Sequence, residues 1–183
     1  WIQKSPSSNP TARSNHAMAY IGDDKVLLFG GQYPSGTYHG ETWIYDLSDD
    51  SWTQQDPTVS WPGHTQIVTG RKWHDLSYIG DDKVILYGGY DFSINGETWI
   101  YDLSDNTWTH KNTSGSPGDR YRHKICYLGG DQVLFFGGCY TECLDDTWVY
   151  DLSANSWAEK NPSESGGSLE TWYRQHGLAY IGD

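Results

Sequence analysis

The stretch "HAMAYIGDDKVLLFGG", residues 16–31, holds two apolar runs separated by Gly22-Asp23-Asp24. Gly and Asp tolerate the left-handed backbone of a tight reversal, so the stretch predicts a hairpin, with "AMAYI" as one strand and "KVLLFGG" as the next. It returns as "HDLSYIGDDKVILYGG" (74–89) and "HKICYLGGDQVLFFGG" (123–138), and its first half once more as "HGLAYIGD" (176–183). Each full copy is followed by a second matched pair of runs: "ETWIYDLSDDSW" (41–52), "ETWIYDLSDNTW" (97–108) and "DTWVYDLSANSW" (146–157). His16, His74 and His123 mark periods of 58 and 49 residues.

One unit therefore reads as four short strands, a to d, with a variable loop between b and c. Val26-Leu27-Leu28-Phe29 is apolar without alternation, so strand b needs cover on both faces and each sheet needs a neighbour on each side. Four-stranded antiparallel units repeating at this period and stacking face to face describe a β-propeller. The double glycines Gly30-Gly31, Gly88-Gly89 and Gly137-Gly138, with the pairs Tyr45/Trp52, Tyr101/Trp108 and Tyr150/Trp157 at constant separation, resemble the kelch repeat. The resemblance covers nearly the whole chain and implies an all-β, kelch-type propeller arc. Three complete blades fall at 16–56, 74–112 and 123–161, with residues 1–4 as a strand d of a preceding blade and 176–183 as a strand a of a fourth. Joined end to end, the two single strands would leave b and c missing between them. The expected molecule is thus an arc of a larger propeller, completed by further chain or by another copy. Seven tryptophans at repeat positions, Trp1, Trp43, Trp52, Trp99, Trp108, Trp148 and Trp157, are expected in the core between blades.

In the order a-b-c-d the a-b and c-d turns share one face of the disc. The b-c loops and the d-to-a connections share the other, and only these vary in length, so binding is expected there. The tryptophans outside the repeat pattern, Trp61, Trp73 and Trp172, lie in the two long connections, and Tyr33, Tyr38, His39, Tyr90, Phe92 and Tyr140 join them from the b-c loops. Such aromatics serve as anchors for a protein partner or as platforms for a sugar ring, and equally as plugs that pack a loop down. Arg13, Arg71 and Arg120 each stand three residues before a repeat histidine, with Tyr173 and Arg174 near that place in the last copy. They would approach the axis as a basic mouth, and the resemblance implies that arginines there can bind acidic ligands. Their recurrence in every blade favours a structural hydrogen-bonding role, as it does for the histidines.

The 24 acidic and 12 basic residues give a formal charge of −12, which argues against nucleic acid and anionic membranes as partners. No run of 18 apolar residues occurs. Some kelch propellers are copper-radical oxidases, and Cys139, Cys143, His39 and His64 supply fragments of such a site. Others resemble sugar mutarotases, for which Arg13, Arg71, Arg120 and Glu142 are the counterparts. No spacing specifies a metal site, and no cofactor is expected. The favoured function is therefore a non-catalytic module that binds protein or glycan through its loop-rich face. A sugar-active enzyme and an architectural spacer are the alternatives. Cys126 occupies a position held elsewhere by Ala or Ser, whereas Cys139 and Cys143 share one short loop and are close enough for a disulfide. With the sequon Asn112-Thr113-Ser114, that pair points to an extracellular, cell-surface or periplasmic location, the cytoplasm being the alternative.

Overall fold

A computed structural model describes residues 1–60 and 68–160, which form thirteen strands and no helix. The first blade is β1 (Ala17–Gly22), β2 (Lys25–Phe29), β3 (Thr42–Asp46) and β4 (Ser51–Gln55), hydrogen-bonded in that order. After β5 (Thr58–Ser60), the second blade is β6 (Asp75–Tyr78), β7 (Lys83–Tyr90), β8 (Ile94–Asp102) and β9 (Thr107–Lys111). The third is β10 (Lys124–Gly129), β11 (Gln132–Cys139), β12 (Cys143–Asp151) and β13 (Ser156–Lys160). Within each blade neighbouring strands are antiparallel. The a-b turns reverse as their residues dictate, with three successive left-handed residues in each: Gly22, Asp23 and Asp24; Gly80, Asp81 and Asp82; Gly129, Gly130 and Asp131.

The core is divided between the blade junctions. Strand β7 buries Val84 and Leu86 toward the first blade, in a cluster with Leu27, Phe29, Trp99 and Trp108, and turns Ile85 and Tyr87 toward the third, in a cluster with Val133, Phe135 and Trp157. Both faces of the middle sheet are covered, which is why its central strand shows no alternation. One polar bond recurs at each junction: the strand-d indole of one blade donates to the strand-c threonine of the blade before it. The pairs are Trp108 Nε1 to Thr42 Oγ1 and Trp157 Nε1 to Thr98 Oγ1, both at 3.0 Å.

The double glycines sit where two blades meet. A Cβ on Gly88 (φ +59°) would lie 2.5 Å from the Arg120 carbonyl oxygen and 2.9 Å from Cε1 of His123, both in the next blade. One on Gly89 would lie 2.9 Å from Cβ of His74, in its own blade. Only a residue without a side chain lets three backbones approach so closely.

The tryptophan expectation holds in part. Trp99, Trp108 and Trp157 are buried, but Trp43, Trp52 and Trp148 are only half-buried and Trp1 is exposed. Trp52 is the counterpart of Trp108 and Trp157, and among the described residues no sheet covers its side of the first blade. Residues 1–4, expected as a strand d, form no strand, because no strand c among the described residues offers them a ladder. The expected strand a at 176–183 lies outside the described residues.

Strand β5 was not anticipated. It adds to the outer edge of the second blade, parallel to β9, with Val59 opposite Trp108. The same run-on recurs at the other blades: Ser114 bridges Ser156 in parallel, and Ser8 Oγ donates to the Trp52 carbonyl. The two described segments that leave a strand d, after β4 and after β9, thus cross to the strand d of the next blade and cover an edge that would otherwise present unpaired backbone.

Candidate functional site

On the loop-rich face the residue before each of His16, His74 and His123 is left-handed: Asn15 at φ 58°, Trp73 at 60° and Arg122 at 63°. Asn accepts this conformation readily, whereas Trp and Arg are strained by about 1–2 kcal/mol. A backbone relay explains it. The Trp73 N–H donates to the Asn15 carbonyl (3.1 Å) and the Arg122 N–H to the Trp73 carbonyl (2.8 Å), linking the three blades in series beside their innermost strands. The preceding residues bridge to the b-c loops, Ser14 to Gln32, Lys72 to Tyr90 and Tyr121 to Cys139. These short tripeptides therefore hold side chains from neighbouring blades against one another.

Their side chains form one cluster. The Trp73 ring has the Lys72 ammonium 3.9 Å and the Arg122 guanidinium carbon 4.2 Å from its centre. Tyr38 and Tyr90 lie 5.3 and 5.4 Å from the same ammonium, and Tyr121 lies 5.5 Å from the guanidinium. Phe92, 80 % exposed and left-handed at φ 86°, packs edge-on to Tyr38 with ring centres 4.7 Å apart. Tyr38 and Phe92 also wall an open cavity of about 510 Å³ with Ser35, Thr37, Thr69 and Asp91.

The electrostatics of this cluster are unusual for an acidic chain. Arg13 pairs with Glu41 (3.1 Å), Arg71 with Glu97 (2.8 Å) and Arg120 with Asp146, and each also donates to the carbonyl of the first glycine of its double-glycine pair. These guanidiniums are nearly inaccessible and spend their donors inside the blade. Arg122 makes no side-chain hydrogen bond or ion pair among the described residues, and its Nε is buried without a partner. Lys72 donates 2.6 Å to the neutral Gln32 Oε1 and meets no carboxylate among the described residues. Burial, then the nearby Arg122 charge, lowers the Lys72 pKa. Two cations thus lie against one indole with no counter-ion among the described residues, an arrangement that a carboxylate from outside would complete.

The structure brings Tyr38, Trp73 and Tyr90 together and leaves other sequence candidates apart. His39 is half-buried with Nδ1 3.3 Å from Glu41, and Tyr140 is half-exposed at the tip of the β11–β12 hairpin. Cys139 and Cys143 are disulfide-bonded across that hairpin, while Cys126 is free and half-buried. His74 donates from Nε2 to the Phe29 carbonyl (3.2 Å), and His123 packs edge-on to Tyr87 of the second blade with ring centres 5.3 Å apart, so both serve the blade junctions. Trp61, His64, Trp172, Tyr173 and Arg174 lie outside the described residues. Among the described residues no group of His, Cys, Asp and Glu is placed to hold a metal ion. Sequence reasoning missed Lys72 and Arg122. The available signal was that they stand one and two places after the recurring arginine, where the copies stop matching.

Comparison with known proteins agrees with this architecture. The profile of the KLHDC2/KLHL20/DRC7 Kelch-repeats domain matches residues 1–183. The chain is 30 % identical over 101 residues to Kelch domain-containing protein 2 of Bos taurus, covering 54 % of this chain and 23 % of that protein. It is 28 % identical over 125 residues to Adagio protein 3 of Arabidopsis thaliana, covering 64 % and 19 %. It is 24 % identical over 163 residues to the Rab9 effector protein with kelch motifs of Xenopus laevis, covering 59 % and 44 %. The chain therefore spans less than half the length of each of these relatives. With a full-length match to the family profile and three four-stranded blades joined through their double glycines, the chain belongs to the kelch-repeat family.

Proposed function

We propose that this chain is a protein-interaction module whose loop-rich face receives an acidic segment of a partner. The observation that carries the proposal is the uncompensated pair Lys72 and Arg122 around Trp73. The other three described arginines are each paired with a carboxylate, whereas half-buried Lys72 and Arg122 meet none among the described residues, and an acidic segment of a partner would supply one. A relative whose name describes it as a Rab9 effector is consistent with a protein as partner. The surrounding Tyr38, Tyr90, Phe92 and Tyr121 supply the rigid aromatic contacts that dominate such interfaces.

The test is binding of a fluorescent oligoglutamate peptide to the full chain. Lys72→Ala and Arg122→Ala should each weaken it at least tenfold, with the fold unchanged by circular dichroism. Unaltered affinity in both variants would sink the proposal. A second reading, glycan recognition, is favoured by the exposed Phe92 ring beside Tyr38 on a cavity edged by Ser35, Thr37 and Asp91. An oligosaccharide array on which binding depends on Phe92 but not on Arg122 would select it instead.

A further inference from the structure

The three b-c loops reach the same bridge to the preceding tripeptide but are held at their tips by different means. In the second blade Asp91 is the hub, accepting hydrogen bonds from Thr69 Oγ1, Ser93 Oγ and Asn95 Nδ2. The strand register aligns Tyr90 with Cys139 and Ile94 with Cys143, which puts Tyr140 at the place of Asp91 and Leu144 at the place of Asn95. The third blade therefore has no carboxylate at the hub position, and no side-chain hydrogen bond is made at its tip among residues 139–144. The disulfide between Cys139 and Cys143, closed over Tyr140-Thr141-Glu142, takes over that task.

Cys139 is also the inner half of the bridge. Its N–H donates to the Tyr121 carbonyl (2.8 Å) and its carbonyl accepts from the Tyr121 N–H (3.1 Å). Tyr121 precedes Arg122, and its ring lies 5.5 Å from the Arg122 guanidinium. A disturbance of the hairpin tip thus reaches the cation proposed above as the anchor through one pair of backbone hydrogen bonds.

We propose that Cys139–Cys143 is a thiol-exchange site whose reduction loosens the Tyr121–Arg122 segment and so weakens anion binding on the loop-rich face. The reductant is a dithiol. Its thiolate attacks Cys143 Sγ, the more accessible of the two, since Cys139 is only 4 % exposed. The S–S bond breaks to give a mixed disulfide and a Cys139 thiolate. The second thiol of the reductant then displaces Cys143, and two electrons and two protons have passed to the protein while the reductant leaves as its own disulfide. Because the bond encloses only three residues, it restricts the unfolded chain little, and its effect is concentrated on the tip itself. The link to binding rests on the function proposed above; the link to backbone order does not.

The experiment is amide hydrogen exchange on the full chain, oxidised and after reduction by dithiothreitol, with Cys139→Ser/Cys143→Ser as a permanently reduced form. The amides of Cys139 and Tyr121 should exchange at least tenfold faster on reduction, while those of Lys72 and Tyr90, which form the same bridge in the second blade, stay unchanged. Grafting the hub by Tyr140→Asp, Glu142→Ser and Leu144→Asn into the cysteine-free form should restore protection. Equal exchange in the two redox states would overturn the proposal. Oligoglutamate affinity, measured in parallel, should fall at least threefold on reduction. Unchanged affinity in a protein whose binding does need Arg122 would refute the regulatory link alone. Absence of peptide binding in either state would refute the anion reading, leaving exchange to decide the redox effect.

Discussion

Gly88 stands where the second and third blades come closest, and it shows what the repeat preserves. Gly88→Ala would combine left-handed strain with overlap of the Arg120 carbonyl, which is backbone and cannot move aside. A loss of about 3 kcal/mol is expected, read as a lower urea midpoint. Gly36→Ala meets nothing within 4 Å at φ +93° and should cost only about 1 kcal/mol, isolating the strain from the clash. A second effect belongs to His74. Burial first, then the Arg71 charge, lowers its pKa well below 6.5, so it is neutral when folded. The unfolded chain takes up a proton near pH 6.5 that the folded chain refuses. Its stabilising contribution is thus complete above that pH and is lost as pH falls below it. His16, lowered by burial and Arg13, acts in the same direction. Urea midpoints should therefore decline between pH 7 and 5, and less so in His74→Gln. Carboxylates held low, such as Asp91, act at more acidic pH.

At the scale of elements, the c-d turns carry the best-repeated local device. Asp50, Asn106 and Asn155 are all left-handed at φ 50°, and their Oδ1 atoms accept from the hydroxyls of Tyr45, Tyr101 and Tyr150 at 2.6, 2.7 and 2.7 Å. The amides of Asn106 and Asn155 also reach the segment arriving from the previous blade, at the carbonyls of Asp56 and Asn112. Asn155→Ala removes both bonds and leaves Ala strained, a loss of about 3 kcal/mol in thermal or urea unfolding. Asn155→Asp keeps the tyrosine bond and tolerates the backbone, and should lose about 1 kcal/mol. The strands themselves were legible because Gly-Asp turns and apolar runs are local: β1 and β2 start and stop within two residues of "AMAYI" and "KVLLFGG". Strand β5 was not legible, since Thr58-Val59-Ser60 becomes a strand only by meeting an edge that belongs to another blade. The site follows the same logic. Arg13, Arg71 and Arg120 obey the repeat and prove to be internal struts. Lys72 and Arg122 break it and meet no carboxylate among the described residues, so departure from the repeat was the better guide to the proposed site.

The described residues form three sheets in a row, the first and third packed on opposite faces of the second, so stability is expected to divide by junction. The two junctions share the Trp-to-Thr bond and an apolar cluster but differ beside the axis. From the second blade, Asp75 accepts from the Ile125 N–H and from Lys124, both at 2.8 Å, and Ser77 Oγ accepts from the Tyr127 N–H at 3.0 Å. These side chains cap the free inner edge of the third blade's strand a. The first blade has Ala17 and Ala19 at the matching positions, which cannot cap anything. The second junction is therefore tied by three polar bonds that the first lacks, each contributing about 1 kcal/mol, against the single Lys72 to Gln32 bond particular to the first. In hydrogen exchange at rising urea, the amides of β1 and β2 should open at lower denaturant than those of β10 and β11. Asp75→Ala with Ser77→Ala should lower the opening midpoint of β10 toward that of β1 without altering β1. The Lys124 ammonium, about a third exposed, can turn to water once Asp75 is gone, so the double variant reports the lost caps and not a stranded charge. Simultaneous opening of all three blades in the unaltered chain would show that cooperativity across the junctions exceeds their difference.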